Sequence, residues 1–245
     1  MSDPTGIFSL RPELVDMIAF HLFSNDLFNL RLSCRYLCEC SLFRFAARYF
    51  SVRTQRLTQH PLETLLEISR HPVFGPSIRA LFIMSLGDNR AWDLFEAIQV
   101  YCESFHELSR DLRIPRLQLL LLGGIHVFQD DLTTMFEAHA GTLREVCLSS
   151  VSLLGSWRTV LTVMRDQLQQ LTKVDMTKCS VIRDGCKRDH YIRFQDDNGS
   201  TSYDFEVVGG SPLPMNRLIR GLREGSTEEV YYGQRRPRLT ITVDD

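Results

Sequence analysis

The chain has 245 residues, 44% of them hydrophobic and 24% charged, the make-up of a folded protein with room for one ordinary domain or a small module plus a modest one. A formal net charge of -2 and an isoelectric point near 6.4 exclude global attraction to nucleic acid or to an anionic membrane, so neither is expected as a partner. No run approaches the roughly 18 to 20 apolar residues of a membrane span, and Met1 to Gly6 lacks the layout of a signal peptide, which predicts a cytoplasmic or nuclear location.

Three helices are expected between Phe8 and Phe50. Pro12 suits the first turn of the first, where its missing N–H is no loss, and the apolar pattern runs on to Phe23. Ser24-Asn25-Asp26 stops that helix and caps a second, short one through Leu27, Leu30 and Cys34. A third follows from about Tyr36, with Cys38, Leu42, Phe45, Ala46 and Tyr49 at helical spacing. In the first helix Leu14, Ile18 and Leu22 share one side, whereas Phe20 and Phe23 fall on others, so it is apolar around more than one stripe. A unit of this size buries too little surface to be secure alone, and each large side chain left uncovered forgoes roughly 1.5 to 3 kcal/mol. A second surface is needed, in this chain or in another.

The order Leu10-Arg11-Pro12-Glu13-Leu14, Ile18, Leu22, Asp26-Leu27, Leu30-Arg31-Leu32, Cys34-Arg35 and Leu37 resembles the F-box pattern over about forty residues. The continuation Pro61-Leu62-Glu63-Thr64-Leu65-Leu66-Glu67-Ile68-Ser69-Arg70-His71-Pro72, a helix with proline at either end, is similar to fungal members of that family. The resemblance implies docking on a Skp-type adaptor, and through it on a cullin scaffold and a RING-type ubiquitin ligase. Carried over position by position, the implied contacts are Leu10, Pro12, Leu14, Ile18 and Leu22 of the first helix, with Leu27, Leu30 and Leu37 beyond it. Arg11 departs from the pattern, standing where its first proline usually sits. The same apolar positions would also serve as the internal core of a plain helical domain.

Past Gly75 the pattern becomes short apolar bursts alternating with helices. Leu117, Leu120, Leu122, Ile125 and Val127 superimpose on Leu143, Val146, Leu148, Val151 and Leu153, and again on Leu171, Val174, Met176, Cys179 and Val181, at offsets of 26 and 28 residues. These periods fit leucine-rich repeats. Ile78, Leu81, Ile83 and Leu86 begin the same way 39 residues before Leu117, which calls for a longer helix in that unit. Connecting helices are expected from Asp88 through Trp92, Phe95, Ile98, Tyr101, Phe105 and Leu108, from Asp130 to before Gly141, and from Ser156 to about Gln169. Strand then helix, repeated, predicts a curved parallel sheet with one strand-lined face open to partners, a compact α/β domain being the alternative.

In the tail, Tyr191-Ile192-Arg193-Phe194 and Tyr203-Asp204-Phe205-Glu206-Val207 flank Asn198-Gly199, which predicts a hairpin, followed by a helix near Met215 to Arg223 and a last strand near Leu239 to Val243. The expected fold is thus α/β: an F-box helical module over 1–56, a linking helix and loop over 57–77, a short, irregular leucine-rich-repeat-like array over 78–185, and a hairpin and helix cap over 186–245.

No enzyme chemistry is visible. There is no Gly-x-Ser-x-Gly and no Walker glycine loop, and the seven histidines keep no telling spacing. Cys34, Cys38 and Cys40 are poorly spaced for zinc, and they read with Cys102, Cys147, Cys179 and Cys186 as reduced core thiols. No cofactor or metal is expected. Lys173, Lys178 and Lys187 are the only lysines, so the first 172 residues offer no side-chain amine for modification. The chain is expected to be a non-enzymatic receptor subunit of a Skp–cullin–F-box type ubiquitin ligase whose repeat face binds a protein target; the alternative is a repeat scaffold without a ligase.

Overall fold

The computed structural model describes residues 6, 9–85, 94–182, 190–195, 201–202, 204–208, 215–223 and 239–242. It is a mixed α/β protein with a mostly parallel sheet. Leu86, Asp88, Trp92, Cys186, Lys187, Asn198-Gly199 and Tyr203 lie outside the described residues.

Helices α1 (Pro12–His21), α2 (Ser24–Ser33), α3 (Arg35–Cys40) and α4 (Leu42–Tyr49) form the N-terminal module. The expected third helix is thus two segments. Buried Ser41 leaves the helical region at φ -91° and ψ 3°, and its hydroxyl donates to the Leu37 carbonyl at 2.6 Å, which closes α3 before α4 begins. Pro12 occupies the first turn of α1, and Arg11 before it lies at φ -65° and ψ 149°, a conformation that proline itself adopts. The departure at Arg11 leaves the entry into α1 regular.

Strand β1 (Val52–Arg56) then opens the main sheet, helix α5 (Gln59–Arg70) returns, and β2 (Ala80–Met84) pairs parallel to β1. This corrects the expected boundary at residue 78. The sheet begins at Val52, and the helix expected as a linker belongs to its first strand–helix unit. The strand escaped notice because Arg53 and Gln55 stand in register with Leu81 and Ile83, so its inward positions carry no apolar alternation.

Helix α6 (Leu94–Asp111), strands β3 (Leu119–Gly123) and β4 (His126–Phe128), helix α7 (Gln129–Ala138), strands β5 (Glu145–Ser149) and β6 (Ser152–Leu154), helix α8 (Trp157–Gln167), and strands β7 (Lys173–Thr177) and β8 (Ser180–Ile182) follow as stacked units. The sheet runs β1-β2-β3-β5-β7 in parallel with no slip, so Val52, Ala80, Leu119, Glu145 and Lys173 stand in one row. All fifteen superimposed apolar residues of the three repeated bursts are buried. β4, β6 and β8 run parallel in a second, narrower sheet, to which the tail adds a fourth strand antiparallel to β8. Helices α5 to α8 pack neighbour on neighbour along one side of the main sheet, and Phe105, Phe136 and Trp157 share one buried core with Leu120, Leu148 and Met176.

The link between each main strand and its short partner turns on a left-handed residue at an equivalent place: Gly124 at φ 62°, Ser150 at 54° and Lys178 at 51°. The N–H of Gly124 donates to the Ser149 carbonyl and that of Ser150 to the Thr177 carbonyl, both at 2.8 Å. At Lys178 the series ends, and its N–H finds the Asp204 carboxylate at 3.1 Å instead.

The tail departs from the expected hairpin. After β9 (His190–Tyr191), β10 (Arg193–Gln195) does pair antiparallel with β11 (Thr201–Ser202). The second run, β12 (Asp204–Val208), instead joins the main sheet antiparallel to β7. Phe205 and Val207 explain this, because burying both against the helix layer requires β12 to extend the sheet. Helix α9 (Met215–Gly221) packs on α8, β13 (Leu222–Arg223) adds to β10, and β14 (Leu239–Thr242) ends the main sheet parallel to β12.

Candidate docking surfaces

The N-terminal module has a core of its own. Val15, Ala19, Leu27, Leu37 and Ala46 are buried within it, and none of them joins the large core cluster, whose first member is Leu57. Arginines bind its helices together. Arg44 pairs with Asp16 at 2.8 Å and lies over Phe20, Arg48 donates to the carbonyls of Phe20 and Leu22 at the end of α1, and Arg31 donates to the Cys38 carbonyl at 2.9 Å while covering Phe45 at 4.1 Å. Tyr36 donates to the Leu10 carbonyl and fixes the entry to α1. The module meets the sheet through an aromatic chain in which Phe50 touches Phe45 and stacks on Phe74, and Phe74 in turn stacks on His71.

This core leaves much apolar surface outside. Leu14 is 45% exposed, Ile18 38%, and Phe23 and Leu32 both 82%; Met17, Phe20, Phe28 and Phe43 are exposed as well. On α1 the buried pair Val15 and Ala19 faces inward, and Leu14, Met17 and Ile18, three and four residues apart, make an adjacent outward face. Eight large apolar side chains exposed on one small helical module exceed the scattered single cases normal for a surface.

Of the anticipated contact residues, Leu14 and Ile18 are outward with Pro12 beside them, and Leu10, Leu22 and Leu30 are half-buried. Leu27 and Leu37 are a correction. Both are buried in the module core, where they hold α2 and α3 in place. Met17, Phe23, Leu32 and Phe43 are exposed on the same module and stand outside the anticipated set. The off-stripe placement of Phe20 and Phe23 in the sequence was the available signal, and the same spacing argument reaches Met17.

The second surface is the side of the main sheet turned away from the helices. Its middle row reads Thr54, Phe82, Leu121, Cys147, Asp175 and Glu206 across registered strands. Around these lie Met84 and Leu119 at one end and Glu145, Lys173 and Asp204 at the other. Lys173 pairs with Glu206 at 2.8 Å. Burial, then Asp175, pushes the Cys147 thiol up against the opposing Lys173 charge, and Glu145 and Glu206 add to the rise.

One cluster has the residue types of a catalytic set. His106 on α6 meets buried Asp131 on α7 at 2.6 Å, a turn away from Cys102. Burial and the Asp131 charge push the Cys102 thiol to about 11, so it stays protonated at neutral pH and is a poor nucleophile. The pair fastens α6 to α7. Cys179 is held up to about 12 by burial. Among the described residues no group of three or more His, Cys, Asp or Glu is placed to hold a metal ion, and no helix is long and apolar enough to cross a membrane. No known protein family and no curated protein matches the chain.

Proposed function

We propose that this chain is a substrate-recognition subunit of a Skp–cullin–F-box type ubiquitin ligase, with α1–α4 docking on a Skp-type adaptor and the repeated strand–helix units, read as leucine-rich-repeat-like, presenting a target. The observation that carries this reading is the outward apolar face of Leu14, Met17 and Ile18 on a module whose own core is already closed. At roughly 1.5 to 3 kcal/mol for each large side chain fully covered, a groove closing over that face would gain enough to hold a stable subunit. The order of F-box-like residues from Leu10 to Leu37 supports the same reading, with Leu27 and Leu37 serving inside the module.

Recognition and placement are then the chain's work, and ubiquitin transfer belongs to the other subunits. A lysine-free stretch of 172 residues suits a receptor held beside an active transfer site, because it leaves no side-chain amine near the scaffold to be modified in the target's place. The test is recruitment into an assembly of Skp-type adaptor, cullin and RING subunit, read by size-exclusion chromatography. The full chain is expected to comigrate with the assembly only when the adaptor is present. Elution of the folded chain apart from the complete assembly would overturn the proposal.

A further inference from the structure

Taking the sheet face as the target-binding surface, which rests on the reading above, we infer that its partner is a protein segment in extended conformation that presents apolar side chains followed about four residues later by arginine or lysine. The face is divided along its strand order. On β2 and β3 the outward positions are apolar, with Phe82 and Leu121 in the middle row and Leu119 and Met84 beside them. On β5, β7 and β12 they carry four carboxylates, Glu145, Asp175, Asp204 and Glu206, against one ammonium, Lys173.

That ammonium pairs with Glu206 at 2.8 Å, and among the described outward positions of these three strands carboxylates outnumber ammonium groups four to one, in a molecule whose formal net charge is only -2. Cys147, between the two halves, has its thiol pushed up by burial and then by Asp175; Lys173 opposes this, and Glu145 and Glu206 add smaller upward contributions. A partly desolvated acidic surface of this kind attracts cations more strongly than one in open water, and it repels nucleic acid and anionic lipid.

Geometry sets the spacing. Registered strands lie about 4.8 Å apart, so three strand steps separate the centre of the apolar pair from that of the acidic pair, about 14 Å, which an extended chain spans in roughly four residues. A segment crossing the strands with its apolar residues over Phe82 and Leu121 brings a basic side chain over Asp175 and Glu206.

The experiment is selection of a random dodecapeptide library displayed on phage against the immobilised full chain, without any adaptor. Counter-selection uses the isosteric variant Glu145→Gln/Asp175→Asn/Glu206→Gln, whose melting profile is checked against wild type. Selected peptides are expected to carry an apolar pair followed by arginine or lysine about four residues on, and to bind the triple variant at least tenfold more weakly. A second variant, Met84→Ser, removes exposed apolar surface and is expected to weaken the same peptides severalfold. Selected peptides without basic enrichment, equal binding to the triple variant, or no binder that depends on the face would each overturn the inference. With no adaptor in the selection, its failure leaves ligase docking standing, and failure of docking leaves the selection result standing.

Discussion

His139 shows how single residues fix the stacking of units. Buried just after α7, it donates from Nδ1 to the Met135 carbonyl at 2.8 Å and accepts at Nε2 from the Ile114 N–H at 3.2 Å, so the neutral ring ties the end of α7 back to the segment between α6 and β3. Protonation would place a second donor against the Ile114 N–H. Burial accordingly holds its pKa below the ordinary 6.5, with the Arg113 charge lowering it further against the opposing Met135 bond. The sign follows from linkage: the unfolded state binds this proton first, so the contribution of His139 is complete above pH 6.5 and is lost as the pH falls through the lowered value. Urea unfolding of the wild-type chain is expected to show declining stability from pH 7 towards pH 5. His139→Ala, which strands two buried backbone groups, is expected to lose about 1 to 3 kcal/mol at pH 7 and to show a shallower decline. An equally steep decline in the variant would remove His139 from the cause.

At the scale of elements, the repeated left-handed turn lets main strands and short strands stay in step. Gly124 fills it without strain, and an alanine there would carry its Cβ to within 3.0 Å of the Ser85 hydroxyl at a φ of 62°. Gly124→Ala is expected to destabilise the chain by about 1 kcal/mol, while Ser150→Gly, at the same turn one unit later, is expected to be neutral or stabilising by up to about 1 kcal/mol. Denaturant midpoints at unchanged slope measure both, and a stabilising Gly124→Ala would contradict the role of the turn. These units were legible in the sequence because leucine, valine and isoleucine recur where each strand faces the helices. β1 was not, since Arg53 and Gln55 occupy those inward positions, and β12 was assigned the wrong partner because an Asn-Gly signal is local whereas burial of Phe205 and Val207 is not. The break at Ser41 was equally hidden, since a side-chain bond to the Leu37 carbonyl leaves no mark on apolar periodicity.

Across the whole molecule, two cores meet through the aromatic chain of Phe45, Phe50, Phe74 and His71, which leaves the N-terminal module free to present its outer surface. The sequence announced that surplus through Phe20 and Phe23, but it did not separate outward Leu14 and Ile18 from inward Leu27 and Leu37, because core and contact residues share one chemistry. The division of the sheet face into apolar and acidic halves needed the strand register, which sets Asp175 beside Glu206 and brings Glu145 onto the neighbouring strand from a third stretch of chain. The most direct measurement is co-purification of the full chain with a Skp-type adaptor, wild type beside Leu14→Asp/Ile18→Asp. Both positions are exposed, so the double variant is expected to fold and melt as wild type does, while two carboxylates forced into a desolvated groove should weaken binding by several kcal/mol. Stable binding by wild type that the variant loses is the predicted result; a folded wild-type chain that fails to bind, or a variant that binds equally well, would contradict adaptor docking through α1.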